Sequence, residues 1–322
     1  MDDPRESSPS GAARLWPLAL TVAIFALIFW RIPIGRLREA LEGARLLPFL
    51  GLMGGFSLCF FAMDTYVLAR MIRWFHGPLP YRDLLPVRAV TYLVSIVNTQ
   101  LAQATLALYI HRRFGAPLGR ITSTVAFLIL IEATHLMLFA SGGMAAFPGR
   151  APAALYLVPL ALGALWLLVL LTARGKILPR WAGHSLLHTF RRARASHFLT
   201  VLALKGSVFL LSLLVHSRAL AFFGIEIPLV RLLTFLPVIF LLAALPVTVA
   251  HLGTSQAAWI FFFRDFAPEA DLLAYSLASH LTFMLVNGAF GLVFLPGAYA
   301  DLFVRKKRED ISRGGREGSR PG

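Results

Sequence analysis

Apolar residues fall into long blocks along the chain, separated by short basic or Pro/Gly-containing stretches. A helix needs about 18–20 apolar residues to cross the hydrocarbon core of a bilayer. Blocks near that length predict spans over Leu15–Trp30, Pro48–Ile72, Ile121–Ala140, Ala151–Thr172, Phe198–Phe223 and Leu272–Leu295. The first has no small-x-small cleavage site before Arg31, so it reads as a retained span. Between the first two blocks, Ile34–Leu47 sets Arg36, Arg38 and Arg45 against Leu37, Leu41 and Leu46, the pattern of a helix lying at an interface.

Two further segments break the pattern. Leu84–Ile110 carries Asn98, Thr99, Gln100 and Gln103 at its middle, where polarity costs most in a membrane. Leu232–Phe263 is interrupted by Pro246 and by His251-Leu-Gly253-Thr-Ser255-Gln256. Non-helical backbone at membrane depth survives only where protein buries it or where it lines a wet cavity.

Charge gives the direction of the spans. The stretch Arg174–His197 holds Arg174, Lys176, Arg180, Arg191, Arg192 and Arg194 and no acidic residue, and Arg305–Arg308 is again basic. Both are expected in the cytoplasm. The chain must then cross an even number of times between them, which makes Leu232–Phe263 a hairpin that enters and leaves on one face. Arg112, Arg113 and Arg120 also fall inside, so Leu84–Ile110 reads as a second hairpin of opposite sense. Two hairpins of opposite sense form an inverted repeat. Arg112-Arg-Phe114-Gly-Ala-Pro117 matches Arg264-Asp-Phe266-Ala-Pro268, which places His135 and Asn287 at equal depth. Arg36, Arg38 and Arg45 fall outside in this scheme, against the positive-inside rule.

The expectation is an all-α polytopic membrane protein, with about six full transmembrane helices plus two re-entrant helical hairpins. Residues 1–14 form a polar tail, 15–302 the membrane domain with halves at about 48–140 and 198–295, and 303–322 a basic disordered tail.

Composition agrees: 57% of residues are hydrophobic and 15% charged, against about 45–50% and about 25% in soluble domains. The net charge of +15 would suggest nucleic acid in a soluble protein, but the cations border apolar blocks and no nucleic-acid motif accompanies them. Cys59, the single cysteine, excludes an intrachain disulfide and reads as a buried, inert thiol. No cofactor is expected. Neither a Ser-His-Asp order nor a nucleotide-binding glycine loop is present, so no catalytic residues are assigned.

Asp64 lies deep in its span, where a carboxylate costs about 2.5–3.5 kcal/mol. It reads as a proton, cation or head-group site, or as a structural Asp paired within the bundle. Glu132 and His135 share a helix face, fit for a proton relay or for hydrogen bonds between helices. Lys205, two turns into its span, can pair with Asp64 or Glu132 or meet a lipid phosphate. Broken helices at Asn98, Gln100 and Gln103, and at Pro246, His251, Gly253, Ser255 and Gln256, expose unpaired N–H and C=O groups, and the N-terminal ends favour anions such as phosphate. Arg112 and Asn287 complete the candidate substrate-binding set.

Leu245-Pro246-Val-Thr-Val-Ala-His-Leu252-Gly253-Thr-Ser-Gln256, followed by Phe266-Ala-Pro268, resembles the transmembrane region of lysylphosphatidylglycerol synthases. Stand-alone members of that group are described as flippase-like domain proteins. Gln256 stands where the family pattern has Glu, and the first hairpin lacks the family's Pro-Gly core. The resemblance implies movement of a phospholipid or polyprenyl-linked head group between leaflets. In the full-length synthases an aminoacyl-transferring domain follows; with only a polar tail of about 20 residues after the last span, lipid aminoacylation is not expected of this chain alone. The expected partners are membrane lipids of anionic or polyprenyl-phosphate type, at the cell membrane with both termini cytoplasmic. A homo-oligomer or an envelope-pathway partner stays open. The alternatives are a proton-coupled small-solute transporter, an intramembrane lipid enzyme, or a non-transporting partner subunit.

Overall fold

In a computed structural model, which describes residues 22–97, 99–146, 152–244 and 252–299, no strand occurs among the described residues. The chain is an all-α polytopic membrane protein. The helices are α1 Val22–Arg31, α2 Ile34–Gly43, α3 Leu46–Phe75, α4 Tyr81–Val97, α5 Thr99–Phe114, α6 Leu118–Ala146, α7 Leu157–Ala173, α8 Pro179–Ala182, α9 His188–Arg192, α10 Ala195–Ala221, α11 Leu229–Ala244, α12 Thr254–Phe263 and α13 Glu269–Tyr299. Five segments among the described residues are long and apolar enough to cross a membrane: α3, α6, Ala153–Ala173 (α7 with its preceding 3-10 turn), α10 and α13. The expected first span continues from α1 into residues outside the described set.

α3 and α10 run antiparallel at the centre. Trp74 stacks on His197 at 4.6 Å, where α3 ends and α10 begins. At the other end the Arg45 N–H donates to the Phe222 carbonyl at 2.8 Å. One end of the bundle is therefore the basic end, with Arg73, Arg112, Arg113 and the Arg174–Arg194 stretch. The opposite end carries mixed charge: Arg31 pairs with Glu269 at 2.9 Å, and Arg38 with Glu42 at 2.6 Å. Arg45 lies over the Phe222 ring at 5.7 Å. Arg38 is thus paired, while Arg36 and Arg45 at this end still stand against the positive-inside rule, in which acidic neighbours weigh little.

Each broken segment folds back on itself. The start of α4 meets the end of α5, with Asp83 and Arg113 at 3.4 Å and Leu84 and Val87 in one core with Leu106, Tyr109 and Ile110. An unbroken helix would hold residues 83 and 113 about 45 Å apart. Likewise α11 returns as α12: the Phe235 and Phe262 rings stack at 4.7 Å, and Arg231 lies over Phe266 at 6.0 Å. The first hairpin opens at the basic end, where α3 delivers it, and the second at the mixed-charge end, where α10 delivers it. Gly115, at φ +63°, ends α5, its N–H donating to the His111 carbonyl at 2.8 Å, with Pro117 beyond to prevent continuation.

The order helix, hairpin, helix thus occurs twice, as α3–α6 and as α10–α13, in opposite orientation. The packing repeats as well. α4 lies along α13, and α11 along α6. Glycines permit both approaches: a Cβ on Gly291 would stand 2.5 Å from Leu93 Cβ, and one on Gly143 would stand 2.7 Å from Thr234 Cα. Each first leg also contains a proline, Pro86 in α4 and Pro237 in α11, which deletes one helical hydrogen bond.

Leu157, Leu160, Leu167 and Leu168 of α7 are exposed on the bundle surface. Cys59, expected to be buried, is exposed on α3. A span facing hydrocarbon is apolar on both sides, so an apolar setting does not reveal which face is buried.

Candidate functional site

Four helices bring charge together inside the bundle. Asp64, in the nineteenth position of α3, is 6% exposed. Its Oδ1 accepts from Lys205 Nζ of α10 at 2.7 Å. Its Oδ2 accepts from Arg88 of α4 through Nε at 2.8 Å and Nη2 at 2.5 Å, and from the Tyr92 hydroxyl at 2.9 Å. Lys205 Nζ also reaches Glu132 Oε1 of α6 at 3.2 Å. Two carboxylates and two cations balance formally, which burial of charge requires. Ten residues into α10, the cluster sits about 15 Å from the basic end.

Local geometry fixes each member. Arg88 and Tyr92 are four apart on one face of α4, and the guanidinium lies 4.7 Å over the Tyr92 ring. Lys205 lies 6.0 Å over the Phe60 ring. Asp64 is fully engaged by donors. Glu132 is not: its side chain is 42% exposed, an opening in the cluster on the α6 side.

Of the residues singled out from sequence, Asp64, Glu132 and Lys205 meet here. His135 is one turn further along α6, buried, with no partner for Nδ1 among the described residues. Asn287 is buried in α13, its Nδ2 donating to the Phe283 carbonyl at 2.8 Å and its Oδ1 without a partner among the described residues. Gln103 is half-buried in α5, near the closed end of the first hairpin. Arg112 is exposed at the open end of that hairpin, well away from Asp64. Gly253, Ser255 and Gln256 are buried where α12 begins. Asn98, Pro246, His251 and the Gln100 side chain lie outside the described residues.

Arg88 and Tyr92 escaped the sequence reading. An arginine near the start of a helix reads as a surface anchor, and its inward direction depends on packing against α3. The available signal was their i, i+4 spacing inside a stretch already flagged as irregular. His216 of α10 is buried, with Nδ1 2.5 Å from the Tyr275 hydroxyl and Trp259 beside the ring.

At the basic end, His76 Nε2 and Thr124 Oγ1 lie 2.8 Å apart, and Thr124 Oγ1 lies 2.8 Å from Thr189 Oγ1. The Thr189 N–H donates to Ser123 Oγ at 2.9 Å. These contacts dock α9 onto the start of α6. Burial, with the His188 ring and the Arg120 cation close by, lowers His76 from its usual 6.5 to about 4. His188 is buried too, and burial with Arg120, Arg192 and Arg191 nearby lowers it as well.

No metal-holding group of His, Cys, Asp or Glu occurs among the described residues. The sequence profile of the lysylphosphatidylglycerol synthase TM region matches residues 14–291. The chain belongs to that family. The matched range takes in both hairpins and all four helices of the charge cluster. No curated protein matches the chain.

Proposed function

We propose that this member of the family binds the phosphate of a lipid head group at Arg88 and Lys205 and carries it between leaflets without changing it covalently. The supporting observation is the convergence of those two cations on Asp64, among helices that a two-hairpin inverted arrangement can rock against one another. Taking Asp64, Arg88 and Lys205 out of water costs several kcal/mol each, and their mutual attraction offsets this only with good geometry. Apolar residues of equal volume would serve stability as well, so retention of the cluster points to use. A lipid phosphodiester has one negative charge and two free oxygens, which suit a guanidinium fork and an ammonium. In this reading phosphate competes with Asp64 for both cations, and Asp64 returns when the lipid leaves, so neither cation stands unpaired. Both hairpins stop within the bilayer, the basic end faces the cytoplasm by the positive-inside rule, and the membrane is the cell membrane.

Glu132 favours a second reading, a small-solute transporter coupled to protons, because its carboxylate is the accessible member of the cluster. Proteoliposomes separate the two. Quenching of inner-leaflet fluorescent phosphatidylglycerol on addition of outside reductant measures head-group movement. The proposal expects wild-type protein to speed it well above protein-free vesicles, and Lys205→Met to slow it about tenfold or more, the worth of one lost charged hydrogen bond. Wild-type vesicles no faster than empty ones would overturn it. Solute uptake driven by a proton gradient would then favour the second reading.

A further inference from the structure

Four buried side-chain polar atoms near the bundle centre stand without a partner among the described residues: His135 Nδ1, Ser212 Oγ, Asn287 Oδ1 and Gln256 Nε2. A hydroxyl, an imidazole nitrogen or an amide oxygen can accept a hydrogen bond. Gln256 Nε2 can only donate. Its residue is 0% exposed, and a buried donor without an acceptor costs about 1–3 kcal/mol.

The position of that donor adds to its meaning. Gln256 Oε1 accepts the Gly253 N–H at 2.7 Å, folding the side chain back over the first turn of α12. The amide nitrogen therefore stands at the N-terminus of a ten-residue helix, where backbone N–H groups lack intrahelical acceptors and the helix dipole is positive. No acidic side chain occupies that turn. Ser255 is buried beside it. Gly253 holds φ +89°, and a Cβ there would stand 3.0 Å from Ile24 Cγ2, so α1 closes over the backbone. α12 ends at the mixed-charge end, and its rise of about 15 Å sets its N-terminus near half the depth of a hydrocarbon core of about 30 Å.

We propose that the N-terminus of α12 is a second oxyanion-binding site, in which Gln256 Nε2, with the backbone N–H groups of Ser255 and Gln256 beside it, takes a phosphate oxygen. The inference rests on the lipid-handling reading above for its natural ligand, a phospholipid head group. It adds a station on the second hairpin, apart from the Arg88–Lys205 pair, and gives a phosphate somewhere to go at the half of the bundle that the cations do not reach.

Trp259 lies three residues on, one turn from Gln256, and is buried, so its fluorescence reports on the site. Purified full-length protein in detergent is titrated with dioctanoyl phosphatidylglycerol, with sodium phosphate, and with uncharged dioctanoylglycerol. The trace of Trp259→Phe is subtracted. Wild type should show a saturable change with phosphatidylglycerol and none with dioctanoylglycerol. A matching response to sodium phosphate would make free phosphate a ligand as well; its absence makes the site selective for the lipid. Gln256→Glu keeps the cap to the Gly253 N–H, replaces the donor with negative charge, and should bind about tenfold or more weakly. Should that variant fail to fold, Gln256→Met removes the donor without adding charge, with the same weakening expected. Lys205→Met should retain the Trp259 response even where translocation is lost. If Lys205→Met translocates like wild type, the proposed function fails and this site stands. If Gln256→Glu and Gln256→Met bind phosphatidylglycerol like wild type, or dioctanoylglycerol gives the same response, the inference is overturned.

Discussion

Lys205 and Asp64 are 141 residues apart in the chain, and their side chains meet at 2.7 Å in the interior of the bundle. The contact joins the first helix of one repeat to the first helix of the other. It also makes Asp64 the shared counter-ion of two cations, since Arg88 binds its other oxygen. Asp64 therefore matters more to stability than either cation does.

Asp64→Ala leaves both Lys205 and Arg88 buried without their main partner, a situation that typically costs about 3–5 kcal/mol. Lys205→Met leaves Asp64 paired with Arg88 and Tyr92 and should cost clearly less. Thermal unfolding of purified protein in detergent should rank wild type above Lys205→Met above Asp64→Ala. Equal midpoints for the two variants would speak against the shared-counter-ion arrangement.

Gly291 and Gly143 each let a hairpin leg approach a long helix. Alanine at either should destabilise by about 1–3 kcal/mol through overpacking, since an added Cβ meets Leu93 or Thr234. Gly163 on α7 has nothing within 4 Å of an added Cβ, so Gly163→Ala should be neutral or slightly stabilising. Denaturation midpoints of the three variants check this, and a loss at Gly163 equal to that at Gly291 would count against the packing.

Docking of α9 at the basic end should weaken as pH falls. His76 is depressed from 6.5 to about 4 when packed, so protons favour the undocked form, where the ring has its ordinary affinity. The contribution is complete above pH 6.5 and is lost as pH drops toward 4. Hydrogen exchange at the Thr189 amide, corrected for the intrinsic rate, should quicken over that interval in wild type and far less in His76→Gln. Protection that does not change with pH would contradict the coupling.

The two ends of the bundle make a topological prediction. In a Cys59→Ser background, single cysteines at Ala146 and Gly183 should label from opposite sides of sealed vesicles, with Gly183 on the side of the Arg174–Arg194 stretch. Labelling of both from one side would contradict the orientation of α7.

Much of this arrangement was legible in the sequence because a bilayer constrains length so strongly. The blocks that became α3, α6, α7, α10 and α13 could be placed from apolar run length alone. The two hairpins stood out because Asn98–Gln103 and His251–Gln256 put polar groups where a plain span has none. Facing was the illegible part. Cys59 sits in an apolar run and faces outward, while Arg88 sits near a helix start and faces inward. Lipid and protein interior are both apolar, so periodicity carries little information about direction inside a span. Lys205 was easier, because an ammonium two turns into a span needs a carboxylate and only Asp64 and Glu132 lay at reachable depth. Gln256 was picked out by position, but its orphaned amide depends on the cap to Gly253, a contact that sequence does not reveal.

The central claim is that hairpins entering from opposite faces stop inside the bilayer and that a lipid phosphate sits at Arg88 and Lys205. An electron cryo-microscopy map of the protein in nanodiscs rich in phosphatidylglycerol tests it most directly. The account predicts both hairpin tips within the hydrocarbon layer and head-group density against Arg88 and Lys205 in a class where Asp64 has moved off. A tip emerging on the far surface, or lipid density confined to the outer wall of the bundle in every class, would contradict it.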